Sequence, residues 1–191
     1  YDPLGYTTGY TSNTNALYTK NLYTAAADCT LEAVSFYASE QNLAYDIFVQ
    51  VGDGKNQLVA SGYKQYYGYY SQRLGSSIAV SQGETFAVTV RFTLPGDEVV
   101  SASLEMPMMD YSSKAAASPG QSFVSEDGVT WQDIGEAYDA NNCIKVFANT
   151  AALPQGETLA GVSDQGSPDH VYTAQEIIDT GVLHIDNAVN T

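Results

Sequence analysis

The chain has 191 residues, 44% of them hydrophobic, which suits one domain of ordinary size with a sizeable core, alone or with an appendage. Only 15% are charged, and 22 acidic residues against 7 basic ones leave a net charge of −15. That balance excludes a nucleic-acid surface, which needs clustered cations, and disfavours adsorption to anionic membranes. No apolar run reaches the ~18 residues of a membrane helix. The chain opens on Tyr1, not Met, and reads as a piece excised from a longer protein.

Apolar and polar residues alternate with the two-residue period of a strand through most of the chain. In order, the runs are NLYTA (21–25), LEAVSFYA (31–38), LAYDIFVQV (43–51), QLVAS (57–61), QYYGYYSQR (65–73), SSIAV (76–80), TFAVTVRF (85–92), VVSASLEM (99–106), QSFVS (121–125) and NCIKVFA (142–148). In the clearest, Phe86, Val88, Val90 and Phe92 share one face and Thr85, Ala87, Thr89 and Arg91 the other. Turn formers stand between the runs: Gly52-Asp53-Gly54, Gly62, Gly75, Gln82-Gly83, Pro95-Gly96, Pro119-Gly120 and Asp127-Gly128. Short strands at this spacing without helical patterns between them predict an all-β antiparallel sandwich over residues 1–150.

Beyond residue 150 the composition changes, with 6 acids and no cation in 151–191. Residues 151–170 read as a linker. Residues 171–191 read as a short helical tail or the start of a following segment, because Thr173 and Glu176 form a capping box and Gly181 ends the apolar run.

The two cysteines have no cysteine or histidine at metal-ligand spacing, and both histidines, His170 and His184, lie in the tail. Cys29 and Cys143 each stand at the start of a strand-like run. If those strands lie side by side the two can form a disulfide, worth roughly 4 kcal/mol in the chain-entropy model and implying an oxidising location. The alternative is two separate buried thiols.

Three clusters invite a binding reading. Ser125-Glu126-Asp127-Gly128-Val129-Thr130-Trp131 holds the only tryptophan beside a hairpin signal, Asp-Gly between β-prone runs. It is first a turn, with a ligand role open to Trp131 or Asp133. Tyr66, Tyr67, Tyr69 and Tyr70 flank Gly68. In a strand Tyr67 and Tyr69 share one face and Tyr66 and Tyr70 the other, and their rings suit sugar stacking as well as sheet packing. Glu136, Asp139, Asn141 and Asn142 match calcium ligands only by residue type, so a structural calcium stays open and no metal site is assigned. The acids are too scattered to single out a catalytic pair, and neither cysteine sits in a nucleophile motif, so no catalytic residue is assigned.

Three segments together resemble one family. They are YDPLGYTTGY (1–10) with NLYTAAADCTLEAVSFY (21–37), then YYGYYSQRL (66–74) before Gly83, Glu84 and Phe86, and then GQSFVSEDGVTWQDI (120–134) before NNCIKVFA (141–148). In that order they are similar to the lectin-like domain that follows papain-type cysteine protease domains in secreted or surface proteins of bacteria and archaea. The resemblance implies a jelly-roll-like β-sandwich located outside the cell or on its surface. It implies a non-catalytic module that binds carbohydrate and shares a chain with a protease domain. The alternative is a structural or interaction module that packs on the protease or spaces it, with no glycan of its own.

Overall fold

The computed structural model describes residues 5–96, 98–109 and 111–150. Within them the chain runs β1 (Thr8–Thr11), β2 (Ala16–Thr24), β3 (Cys29–Ala38), β4 (Leu43–Val51), β5 (Gln57–Lys64), β6 (Gly68–Val80), β7 (Thr85–Thr93), β8 (Ser101–Glu105), β9 (Ser122–Ser125), β10 (Gln132–Asp133), α1 (Ile134–Tyr138), β11 (Asn141–Asn142) and β12 (Lys145–Thr150). The linker and helix predicted over 151–191 lie outside the described residues.

Every strand pair is antiparallel. One layer is a six-stranded sheet in the order β10-β9-β2-β7-β4-β5. Facing it are two three-stranded sheets, β1-β8-β11 and β12-β3-β6, in a sandwich-like arrangement. The pleat explains why this sequence closes that way, since alternate residues of β4 and β7 point inward. Leu43, Tyr45, Ile47 and Val49 meet Phe86, Val88, Val90 and Phe92 in one buried cluster. Phe36 of β3 seals the layers, its ring 4.9 Å from that of Tyr45 and 5.6 Å from that of Phe92. Burying such a ring contributes roughly 2–3 kcal/mol.

β2 begins five residues before the predicted run. Its inward positions after Leu17 are Thr19 and Asn21, both buried, so apolar periodicity could not mark it. These groups are satisfied rather than stranded. Thr19 donates to the Val90 carbonyl at 3.2 Å. Asn21 Nδ2 donates to the Asn142 carbonyl at 3.0 Å, and Ser122 Oγ donates to Asn21 Oδ1 at 2.8 Å. Asn142 Nδ2 donates in turn to the carbonyls of Lys20 and Phe123, at 3.1 and 2.9 Å. A seam of this kind fixes the register of β2, β9 and β11, because a one-residue slip would bury each amide without a partner.

Two predicted turn glycines are strand residues instead. Gly62 sits in β5 opposite Tyr45, and a Cβ there would fall 2.5 Å from the Tyr45 hydroxyl, so the gap admits the ring. Gly75 sits in β6, where residues 74–77 stand opposite Glu32 alone in a bulge. The predicted strand 65–73 is corrected in the same region. Tyr66 and Tyr67 lie in the connection between β5 and β6, and only Tyr69 and Tyr70 lie on β6.

The expected disulfide is absent. Cys29 and Cys143 are not joined in a disulfide. Their strands do lie side by side, but the ladder is antiparallel, pairing Thr150 with Cys29 and Lys145 with Ser35. Two strand starts in an antiparallel pair stand at opposite ends. At ~3.3 Å per residue this separates the two cysteines by on the order of 25 Å, against the ~6 Å between Cα atoms that a bridge requires.

Candidate groove at the β9–β10 hairpin

The Asp127-Gly128 turn is held by its own side chains. Asp127 Oδ1 accepts from the Val129 and Thr130 amides at 2.8 and 2.7 Å and from Ser125 Oγ at 2.9 Å. Thr130 Oγ1 donates to Asp127 Oδ2 at 3.0 Å, and the Gly128 amide donates to Ser125 Oγ at 2.9 Å. Gly128 takes φ +73°, and a Cβ would meet the Tyr18 ring at 3.1 Å, so glycine is required twice over. The Thr130 and Val129 amides, with the two hydroxyls, stabilise the charged form of Asp127 and hold its pKa well below the usual carboxylate range. The hairpin then closes with Val124 opposite Gln132 and Phe123 opposite Asp133.

Trp131 leaves this turn on the outer face of the six-stranded sheet. Lys20 Nζ lies 3.7 Å from the centre of the Trp131 ring and 5.0 Å from that of Phe123. This burial lowers the Lys20 pKa. The Tyr18 ring meets Trp131 edge-on at 6.5 Å. Arg91 lies 6.0 Å from the Tyr18 ring and pairs with Asp46. A hydrogen bond to Tyr18, with Asp46 beside it, raises the Arg91 pKa. Trp131 is thereby set in place before any ligand arrives.

Beside it opens a groove of about 540 Å³ lined by Tyr10, Thr14, Val124, Ser125, Glu126, Asp127, Thr130, Trp131 and Gln132. Glu126 is anchored by Asn13, whose amide and Nδ2 both donate to Oε1, at 2.8 and 3.0 Å. Burial, and then the Glu126 charge, push the Tyr10 hydroxyl pKa up, so Tyr10 stays a neutral donor. Two aromatic rings, fixed hydroxyls and two carboxylates in an open concavity are the composition of a small polar-ligand site.

The other predicted residues are placed elsewhere. Asp133 caps α1, accepting from the Gly135 and Glu136 amides at 3.0 and 3.2 Å and from Gly120 at 2.5 Å. The tyrosines lie by β5, the sheet edge opposite β10. Tyr66 and Tyr67 are 62% and 59% exposed. Tyr70 donates to the Tyr66 carbonyl at 3.0 Å, and Lys64 Nζ lies 4.6 Å from its ring. The Tyr69 ring packs tilted against that of Tyr37 at 4.8 Å, and Tyr37 lies 6.1 Å from Tyr6. Tyr66 and Tyr70 thus touch each other, Tyr69 packs on Tyr37 instead, and none of the four lines the groove beside Trp131. Tyr10 and Lys20 were not among the sequence's ligand candidates, Glu126 was marked only as part of the turn, and Tyr10 reaches the groove only because β1 pairs β8 from ninety residues away.

Among the calcium candidates, Asn142 Nδ2 donates within the buried seam and Asn141 Nδ2 donates to the Ala116 carbonyl at 2.9 Å, bonds that engage the amide nitrogens and not the Oδ1 atoms a calcium would take. Asp139 ends α1 in the left-handed region and accepts from the Ala117 amide at 3.3 Å. Among the described residues no three His, Cys, Asp or Glu side chains converge as metal ligands, and no helix is long and apolar enough to cross a membrane.

The family profile described as a lectin like domain matches residues 1–148. Two solved structures share the fold. The clostridial cysteine protease Cwp84 after propeptide cleavage superposes with a TM-score of 0.63 at 21% identity, covering 75% of this chain and 38% of that one. The cysteine protease and lectin-like domains of Cwp84, a surface layer associated protein of Clostridium difficile, give 0.61 at 19%, covering 75% and 36%. The chain thus spans well under half of either protein. No curated protein matches the sequence.

Proposed function

The chain belongs to the lectin-like domain family, and from that membership we propose that it is a non-catalytic carbohydrate-binding module whose sugar seats in the groove between β1 and the β9–β10 hairpin. The groove itself carries this reading, because Trp131 and Tyr10 offer rings to the apolar face of a pyranose and Thr14, Thr130 and Gln132 offer polar partners around them. Cwp84, a surface layer associated protein with cysteine protease and lectin-like domains, supports the setting: a module outside the cell in one chain with a protease domain. On this reading the module steers the protease to glycans.

The test is a glycan array on the folded 191-residue chain, followed by titration of each hit. The only tryptophan lies in the groove, so its intrinsic fluorescence reports occupancy of the site directly. Hits that perturb Trp131 and disappear in Trp131→Ala support the proposal. A blank array on folded protein, or hits that leave the fluorescence unmoved, would sink it.

A second reading rests on the tyrosine-bearing edge. Tyrosine is enriched at protein interfaces, and Tyr66, Tyr67 and Tyr69 expose 62%, 59% and 44% of their surface. Under it this edge packs on a protease domain and the module is structural. Binding between the separate protease domain and this chain, lost in Tyr67→Ala/Tyr69→Ala, would favour that reading.

A further inference from the structure

Sugars divide by charge, and the groove lining is one-sided in charge. It contains two acids, Glu126 and Asp127, and no base. Both acids are anchored in place by hydrogen bonds. Asp127 accepts four hydrogen bonds from the turn, which keeps its pKa well below the usual range. Glu126 takes both Asn13 donors on Oε1, and among the described residues no donor reaches Oε2. The rings are equally selective, since an aromatic face attracts a cation and repels an anion. Trp131 already demonstrates this on one side, where the Lys20 ammonium sits 3.7 Å from the ring centre. Tyr10 stays protonated and adds no charge of its own.

We propose that the groove selects glycans bearing free amino groups, the protonated amino sugars, over their N-acetylated counterparts, and turns away uronic acids. The inference rests on the groove being the sugar site. An ammonium placed near Glu126 and Asp127 gains attraction from both, and at exposed sites such attraction is worth on the order of tenfold in affinity at low salt and fades as salt rises. A ligand carboxylate would meet two fixed like charges.

The experiment titrates the 191-residue chain by tryptophan fluorescence with three hexasaccharides. These are a glucosamine oligomer, its fully N-acetylated form and an oligogalacturonate, each at low salt and at roughly half-molar salt. The glucosamine oligomer is expected to bind about tenfold more tightly than the N-acetylated one at low salt, with the gap closing at high salt and the uronate binding weakest. Glu126→Gln keeps an oxygen for Asn13 and removes the charge, so it is expected to shrink the preference severalfold. Equal binding of amine and N-acetyl forms, or tightest binding of the uronate, overturns the inference while leaving the sugar site standing. A preference undiminished in both Glu126→Gln and Trp131→Ala, the latter titrated by calorimetry because it has no tryptophan, also overturns it, because that is general attraction to an acidic protein. Silence from all three sugars together with a blank array removes the site reading itself.

Discussion

The two ends of the six-stranded sheet both gather aromatic side chains, and they do so by different means. At the β10 end the rings are immobilised from several directions. Trp131 is held by Lys20 at 3.7 Å and Tyr18 at 6.5 Å, and the turn that delivers it is tied by Asp127. At the β5 end Tyr66 and Tyr67 stand 62% and 59% exposed in a connection. The contrast teaches that exposed aromatic area alone does not make a small-ligand site. A site needs rings whose conformational entropy is already lost and polar groups fixed beside them, and concavity supplies the desolvation. Exposed rings on an edge suit a broad protein surface better.

The comparison can be broken most forcefully at Gly135. It is packed so close to the 118–119 backbone that a Cβ would collide with the Ser118 carbonyl, its carbon only 2.8 Å away. Gly135→Ala is expected to cost about 3 kcal/mol, the upper end for overpacking, and to loosen the hairpin end as a whole. Thermal or urea denaturation measures the loss, and an unchanged midpoint would mean that α1 does not brace this end.

Trp131→Ala comes next, with glycan affinity by calorimetry, since the variant has no tryptophan, expected to fall at least tenfold, about 1.4 kcal/mol. The same assay on Tyr67→Ala should show no change, and the reverse pattern would move the sugar site to the β5 end.

Acid sharpens the comparison further. The folded state depresses the Asp127 pKa, so its contribution is fully present above the unfolded value of about 4 and is lost as pH falls below it toward the folded pKa. Melting temperature should drop more steeply below about pH 4 in the wild type than in Asp127→Asn, which starts lower and lacks this component. Parallel curves would show that the carboxylate is no more stable charged in the turn than in the open chain.

The smallest effect is expected at the tyrosine connection. Tyr66→Ser with Tyr67→Ser should change stability by less than ~0.5 kcal/mol and leave Trp131 fluorescence as it was. A larger loss would mean that the exposed rings pack more tightly than their surface suggests.

Much of this was legible in the chain because alternation is a local signal. The runs at 31–38, 43–51 and 85–92 became β3, β4 and β7, since their inward positions are almost all apolar. The Asp127-Gly128 turn was legible for a similar reason, as its bonds close within five residues. Residues 16–20 of β2 were not, because Thr19 and Asn21 are buried through partners 71 and 121 residues distant. Gly62 and Gly75 signalled turns, whereas what they serve is space for Tyr45 and a bulge against β3.

The sequence by itself determined the all-β class, the hairpin and the family, each of which rests on residue type and near-neighbour spacing. Tertiary structure alone decided the rest. It set the antiparallel ladder that keeps Cys29 from Cys143, and the sheet order that parts the tyrosines from Trp131. It also brought Tyr10 beside Trp131 and Glu126 in one groove. Pairing partners along a sheet are chosen by long-range packing, and no local pattern in the chain encodes which strands will become neighbours.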